Sequence, residues 1–440
     1  MATGQREGAP RVAAARDLPR VPFAVADEIG RHCADPHEPN TVHIEIHLPG
    51  PVRPDRLRAA LTQALARHPR ALMRERRHRP FARRYEWELT DAPCGDVVLF
   101  PPRAPGALAQ ARQRALTEAP SLLFSPPLRM EVVEEPGTDG CVLVLTVHHT
   151  ALDGPACLRI VATAAEIYSG RPASPVPPPV RPPAGPVPRA AGGRAAGVGA
   201  AVARVAAGNP GAAPPGNGML ITELPVPLRA SGAAYTVNDQ LMVATALTVA
   251  EWNRRQSAPE RPLRITMPVD NRTRGPAMPI GNGTRLVEVG FTPAEVRAGT
   301  DVGALLRITA ERTRALKARA RAPLGRGAAM LASPVLPVAA RAVLTRGVRR
   351  LAAPWTSTTL LSNIGRVPYP LDFGDAGRAS AVWFSAPAAM PRGLTFTAAS
   401  TGGRLHLALR WSRTLLGDED GGVLCRMLAD HLTSTDAEAL

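Results

Sequence analysis

One stretch limits what this chain can fold into more than any other. Val142-Leu143-Val144-Leu145-Thr146-Val147 is an apolar run with the length of a buried strand. His148-His149-Thr150-Ala151-Leu152-Asp153-Gly154 follows it, and Pro155 to Val161 reads as the start of a helix. Two histidines therefore sit where a strand ends, with an acid four residues after the second. Histidine is the side chain best matched to moving a proton near neutral pH. A loop in this place can hold one imidazole at a cleft.

The rest of the chain mixes strands and helices in the same way. Thr41 to Leu48 alternates like a strand, and Asp55 is the expected N-cap of a helix through His68. Leu128 to Glu135 and Cys141 to Val147 form an antiparallel pair about the turn at Pro136 to Gly140. Residues 171–217 are dense in Pro, Gly and Ala and read as a linker, with a short helical segment near Val198 to Ala207. Beyond it, Thr236 to Asp239 caps a helix carrying Leu241, Ala244, Val249 and Trp252. Strands follow at 263–268, 286–291, 380–385 and 405–411, and a last helix at 421–432. The expected division is 1–170, linker 171–217 and 218–440: two α/β halves of similar size with a cleft between them. The segment from Gly327 to Leu351 reads as a core or tunnel wall, because Pro334 and Pro337 interrupt it. An amphipathic helix at a membrane surface is its rival reading.

Composition removes several functions. Across 440 residues, 45% are hydrophobic and 20% charged, which suits a large folded core and not disorder. No apolar run reaches the roughly 18 residues of a membrane span. The first 20 residues carry Arg6, Arg11, Arg16 and Arg20 and no hydrophobic segment, unlike a secretory signal. Five scattered cysteines suit free thiols in a reducing cytoplasm. The net charge of +16 invites a nucleic acid, but the arginines are spread out and aromatics are only 4%, too few for base stacking. An acidic protein or a phosphate-bearing ligand is the better partner for such a field. His148, His149, Asp153 and Cys157 do not have the spacing of a standard metal site, so no metal is expected.

Five segments, in order, resemble the condensation-domain and chloramphenicol-acetyltransferase-like superfamily. His148-His149-x-x-x-Asp153-Gly154 resembles its HHxxxDG signature. Leu57 to Arg74 resembles the helix and "RHP…R" step near its N-terminus. Tyr235 to Trp252 resembles the "TVNDxLLAA" helix, Met267 to Asn282 the "PVD-x-R…GN" segment, and Ser362-Asn363-Ile364-Gly365 the "SNxG" motif. The opening at Val21 to Glu28 departs from the "LS-x-x-Q" start of peptide-synthetase domains. Their Tyr- and Trp-rich segment is replaced by the linker, and no adenylation or carrier domain is attached. A freestanding acyltransferase is therefore expected ahead of an assembly-line condensation domain.

The resemblance implies two acyltransferase halves in a V with a tunnel between them. It implies an acyl thioester donor, on CoA or on a carrier protein's phosphopantetheine, and an alcohol or amine acceptor. No tightly bound cofactor is expected, and a monomer suffices. His149 is the expected general base, with Asp153 as its catalytic companion. His148 should point away from the site and be structural. By resemblance Asp153 pairs with Arg272, and Arg274 is the alternative partner. Gly154 either clears room for an acyl arm or permits a turn. Asn282 is a supporting residue. Ser362 and Asn363 either donate to an oxyanion, or Asn363 and Gly365 shape a turn. Two rival readings are a wax ester or diacylglycerol synthase-like enzyme at a membrane, and a non-catalytic module that docks a carrier protein.

Overall fold

The apolar run around Val144 becomes the middle strand of a sheet, where both faces of a strand are covered. The computed structural model describes residues 18–79, 81–172, 201–211, 214–270, 272, 278–318 and 333–436. In chain order the first part holds β1 (Arg20–Pro22), α1 (Val25–His32), β2 (Thr41–Leu48), α2 (Pro54–Arg67), β3 (Met73–Glu75) and β4 (Glu86–Leu89). It continues with β5 (Val98–Leu99), α3 (Ala107–Thr117), β6 (Leu128–Val133), β7 (Cys141–His148) and α4 (Gly154–Tyr168). After the linker come β8 (Asn217–Pro225), α5 (Val237–Arg255), β9 (Leu263–Asp270), β10 (Thr284–Phe291) and α6 (Val302–Ala318). The chain ends with α7 (Val338–Leu351), β11 (Thr359–Arg366), β12 (Ala381–Ser385), β13 (Leu394–Thr401), β14 (Arg404–Ser412) and α8 (Asp418–Thr433).

These strands build a mixed α/β fold. A five-stranded sheet has the order β12-β2-β7-β6-β5, and a six-stranded sheet the order β10-β9-β11-β13-β14-β8. A small third sheet is β1-β4-β3. On the first sheet, Leu57, Leu61 and Leu65 of α2 and Leu158 and Val161 of α4 bury against Ile44, Ile46 and Leu145. On the second, Leu241, Val249 and Trp252 of α5 and Leu424 and Leu428 of α8 bury against Ile265, Phe396 and Leu409.

The two sheets share chain. β12 lies far beyond the linker, yet it pairs antiparallel with β2 of the first sheet, Ala381 opposite His47 and Ser385 opposite His43. Arg410 of β14 makes a second tie. Its guanidinium is fully buried and donates to Asn217 Oδ1 (2.7 Å), to the Thr41 carbonyl (2.8 Å) and to the Pro39 carbonyl (3.1 Å). Burial pulls its pKa down to about 9. Its hydrogen-bond acceptors at the root of β2 are neutral, and the Glu38 carboxylate offsets part of the burial cost.

Three expectations change. Helix α2 starts at Pro54 with Arg53 as N-cap, and Asp55 lies in its first turn. Proline at the first helical position needs no donor there, so the helix begins one residue before the acid. The expected helical segment of the linker is irregular over 201–207, where Val202, Ala203 and Val205 are buried. The Ala203 N–H bonds the Pro262 carbonyl at 2.9 Å instead of closing a helical turn. Residues 173–200 of that linker lie outside the described residues.

The third change concerns α7. Its buried residues are Val338, Arg341 and Thr345, so it is no core helix, and its part in a cavity wall comes from Arg349. The inward position goes to Arg341, because Glu28 Oε1 accepts from its Nε at 2.6 Å. The carbonyls of Arg83, Ser333 and Leu336 take its Nη1.

Three buried histidines make the fold acid-sensitive. Burial, the largest cause in each case, pulls His32, His68 and His148 from 6.5 down to about 4. The unfolded chain therefore binds these protons first, and stability falls as pH drops from about 6.5 towards 4. His68 isolates the effect, since its Nε2 lies 2.8 Å from Thr163 Oγ1 between α2 and α4. In thermal melts from pH 7 to 4.5, Tm should fall less steeply for His68→Gln than for wild type. Equal slopes would contradict this.

Candidate active site

The site is built at the end of β7. The His148 N–H pairs with the Pro127 carbonyl, so the strand holds as far as this residue. The His148 ring turns inward, 8% exposed, and its Nδ1 accepts the Thr150 N–H at 3.2 Å. That bond bends the chain and points the next ring elsewhere. His149 is fixed by its backbone N–H, which donates to the Asn40 carbonyl at 2.8 Å. Its ring is only partly buried and lines a cavity of about 290 Å³. His149 Nδ1 lies 3.3 Å from the Leu152 carbonyl. A carbonyl can only accept, so Nδ1 carries the proton of this bond and Nε2 keeps a lone pair.

Asp153 is the N-cap of α4, and none of its hydrogen bonds goes to His149. Its Oδ1 accepts the Ala156 N–H at 3.0 Å. Its Oδ2 accepts the Gly283 N–H at 2.9 Å and Arg272 Nη2 at 2.7 Å. The carboxylate is thus filled, as a buried charge requires. Arg272 is filled too. Its Nε and Nη2 fork onto Asp270, at 2.8 and 2.9 Å, and its Nη1 donates to the Gly281 carbonyl at 2.8 Å. Burial disfavours this guanidinium's charge, but the carboxylates of Asp153 and Asp270 outweigh burial and raise its pKa. A Cβ on Gly283 would meet Arg272 Nε at 2.4 Å, so glycine is what lets the two segments close. Arg274 lies outside the described residues.

Asn282 adds the second clasp. Its Nδ2 donates to the His149 carbonyl (3.1 Å), the Thr150 carbonyl (2.9 Å) and Asp27 Oδ1 (3.0 Å). The loop before β10 therefore grips the histidine loop from the other half of the chain.

The cavity beside His149 takes its walls from both halves: Asn40, Val42 and Gly154 on one side, Pro268, Leu286 and Leu360 on the other. Ser362 and Asn363 line it from β11. Asn363 Oδ1 accepts the Gly365 N–H at 2.8 Å across an irregularity in the strand, where Gly365 has φ +72. That carbonyl shapes the chain, while the Asn363 amide nitrogen lies 3.5 Å from Asn238 Oδ1. Among the described residues Ser362 Oγ has no hydrogen-bond partner.

Gly154 does not need its glycine for a turn. Its φ is outside the left-handed region, and a Cβ there would meet only Ile364 Cδ1, at 3.9 Å. Its small size matters instead for the cavity it borders. Gly154→Ala should keep the wild-type unfolding free energy, within about 0.5 kcal/mol. On the acyl-donor reading that the motifs imply, Gly154→Leu should fill part of the cavity and raise KM for long acyl donors more than for acetyl donors. Equal KM changes for both chain lengths would remove this role.

The uncharacterized proteins MT2362 and Rv2305 of Mycobacterium tuberculosis are each 31% identical to this chain over 425 residues, spanning 89% of it and 94% of their own length. The chain belongs to their family. No family model matches it. Among solved structures, the condensation domain of the monacolin K polyketide synthase MokA superposes with a TM-score of 0.62 at 13% identity, over 96% of this chain and 99% of its own. The trichothecene 15-O-acetyltransferase TRI3 of Fusarium sporotrichioides reaches 0.63 at 11% identity, over 95% and 96%. A starter condensation domain of rhizomide synthetase RzmA, in complex with C8-CoA, reaches 0.60 at 14%, over 95% and 96%. The fold is thus the condensation-domain and chloramphenicol-acetyltransferase-like one that the five motifs resemble.

Several residues of this family member escaped the sequence reading. Asn40 and Asp27 hold the histidine loop through contacts that no local pattern announces. Asp270 stood inside the quoted "PVD-x-R" segment, two residues before Arg272, and its spacing could have marked it. Arg349 and Arg392 line the cavity beside His149. Among the described residues Arg392 donates only to the hydroxyls of Ser357, at 2.9 and 3.2 Å, and of Thr266, at 3.4 Å. Burial pulls its pKa down to about 10. In a chain rich in arginine, nothing in the sequence singles out these two.

Proposed function

We propose that the protein transfers an acyl group from a thioester, on CoA or a phosphopantetheine arm, to an alcohol or amine. The observation that carries this reading is the His149 ring, facing a cavity between the halves with Nδ1 committed to the Leu152 carbonyl. His149 Nε2 takes the proton from the acceptor O–H or N–H as it attacks the thioester carbonyl. The C–S bond of the tetrahedral intermediate then breaks, and the imidazolium returns its proton to the departing thiolate. No acyl-enzyme is needed. Ser362 Oγ is the available donor to the oxyanion on the cavity wall. Asp153, Arg272 and Asn282 are positioning residues that hold the loop.

The fold neighbours support this class of reaction. One is named an O-acetyltransferase, and another was solved with C8-CoA. The test is thiol release and product formation from a panel of acyl-CoAs and acyl carrier proteins with mixed alcohols and amines, followed by mass spectrometry. Product that forms with wild type and not with His149→Ala supports the reading. Carrier-protein binding with no turnover on any donor would instead favour a docking module.

A further inference from the structure

Helix α7 is amphipathic in the wrong sense for a core element. Its inward face holds Val338, Arg341 and Thr345. Positions 343, 344, 347, 348 and 351 share a second face, beside the buried one, by helical spacing. On that face Val343 is 66% and Leu351 78% exposed, and Leu344 and Val348 are exposed as well. Among the described residues, seven of the fourteen well-exposed large apolar side chains fall between Val335 and Trp355. Such concentration is unlike the scattered single residues of an ordinary surface.

Charge lies beside this strip. Arg346 and Arg350 are exposed, one helical turn apart, on the flank next to Val343. Arg349 gives Nη2 to the Met390 carbonyl. Among the described residues none of the three has a carboxylate partner. They line a second cavity of about 360 Å³ with His32, Cys33 and Met390. Asp35 and Glu38 also border it and are held by backbone, Asp35 Oδ1 accepting the His37 N–H (2.8 Å) and Glu38 Oε2 the Met390 N–H (2.8 Å). Arg349 and Ala389 line both this cavity and the catalytic one, so the two adjoin.

We propose that α7 seats the protein on an anionic lipid bilayer. The apolar face enters the acyl boundary, Arg346 and Arg350 meet lipid phosphates, and the outer cavity opens at the membrane surface. Trp355, 49% exposed just past the helix, is of the type that settles at headgroup depth. A second copy of the chain suits this face less well, since it would bring two arginine flanks and two net charges of +16 together. Among the described residues no helix is long and apolar enough to cross a membrane, so α7 lies on the surface. The inference stands apart from the acyl-transfer reading.

The test is flotation of the whole chain with vesicles of phosphatidylcholine alone and of equimolar phosphatidylcholine and phosphatidylglycerol. Wild type should float with the anionic vesicles. Binding should drop at least about tenfold in Val343→Asp/Leu351→Asp. It should drop as far in Arg346→Glu/Arg350→Glu and at high salt. All four sites are exposed, and circular dichroism and Tm check that the variants fold. No flotation of wild type, or equal flotation of wild type and both double variants, would overturn the proposal. So would concentration-dependent dimerisation that Val343→Asp/Leu351→Asp abolishes while no vesicle binds.

Discussion

His149→Ala is expected to slow thiol release from an acyl thioester by about 10²- to 10⁴-fold, the usual worth of a positioned general base. The loss should appear in kcat with little change in KM, because the imidazole acts on protons in flight and not on bound ground-state groups. The variant should stay folded. The ring is partly exposed and makes a single hydrogen bond, to the Leu152 carbonyl. A surface-side truncation of this kind costs about 1 kcal/mol or less. His148 supplies the contrast, since its buried Nδ1 holds the Thr150 N–H. His148→Ala should lower Tm as well as activity. Full activity in His149→Ala would remove the proposed chemistry.

Arg272→Ala should have the largest effect on stability, a loss of about 3–5 kcal/mol. The substitution leaves Asp153 and Asp270 buried without their shared cation, and strips the Gly281 carbonyl of its donor. Much of the loss comes from those stranded charges and not from the missing attraction. Asp153→Asn added to Arg272→Ala should therefore cost less than the two single losses summed, since the pair acts as one unit. Melting curves of the four proteins measure this. Activity should fall too with His149 intact, because Asp153 loses the cation that ties its loop to the other half of the chain. An unfolding free energy within about 1 kcal/mol of wild type would show that the network holds nothing together.

The histidine loop was legible because its information is local. An apolar run, a histidine pair and an Asp-Gly-Pro helix start lie within a few residues, and strand and helix periods frame them. The pairing of Asp153 with Arg272 was legible only through resemblance, since nothing near either residue encodes a contact across the linker. The same limit explains the rest. The β12–β2 pairing joins segments whose local patterns are ordinary. Arg341 took an inward helix position because Glu28 stands opposite it, a fact of tertiary structure. The core half of the reading of α7 failed for the same reason, while Arg349 does line the cavity wall.

The borrowed strand bears on how the protein is made. Until β12 emerges from the ribosome, β2 keeps an open edge, and open edges invite wrong partners. The gap from the end of α4 to the start of β12 takes roughly 10 to 40 s to translate at about 5–20 residues per second. A nascent chain of the first 170 residues should therefore stay bound to a holdase or aggregate, and become protease-resistant only after Ser385 is added.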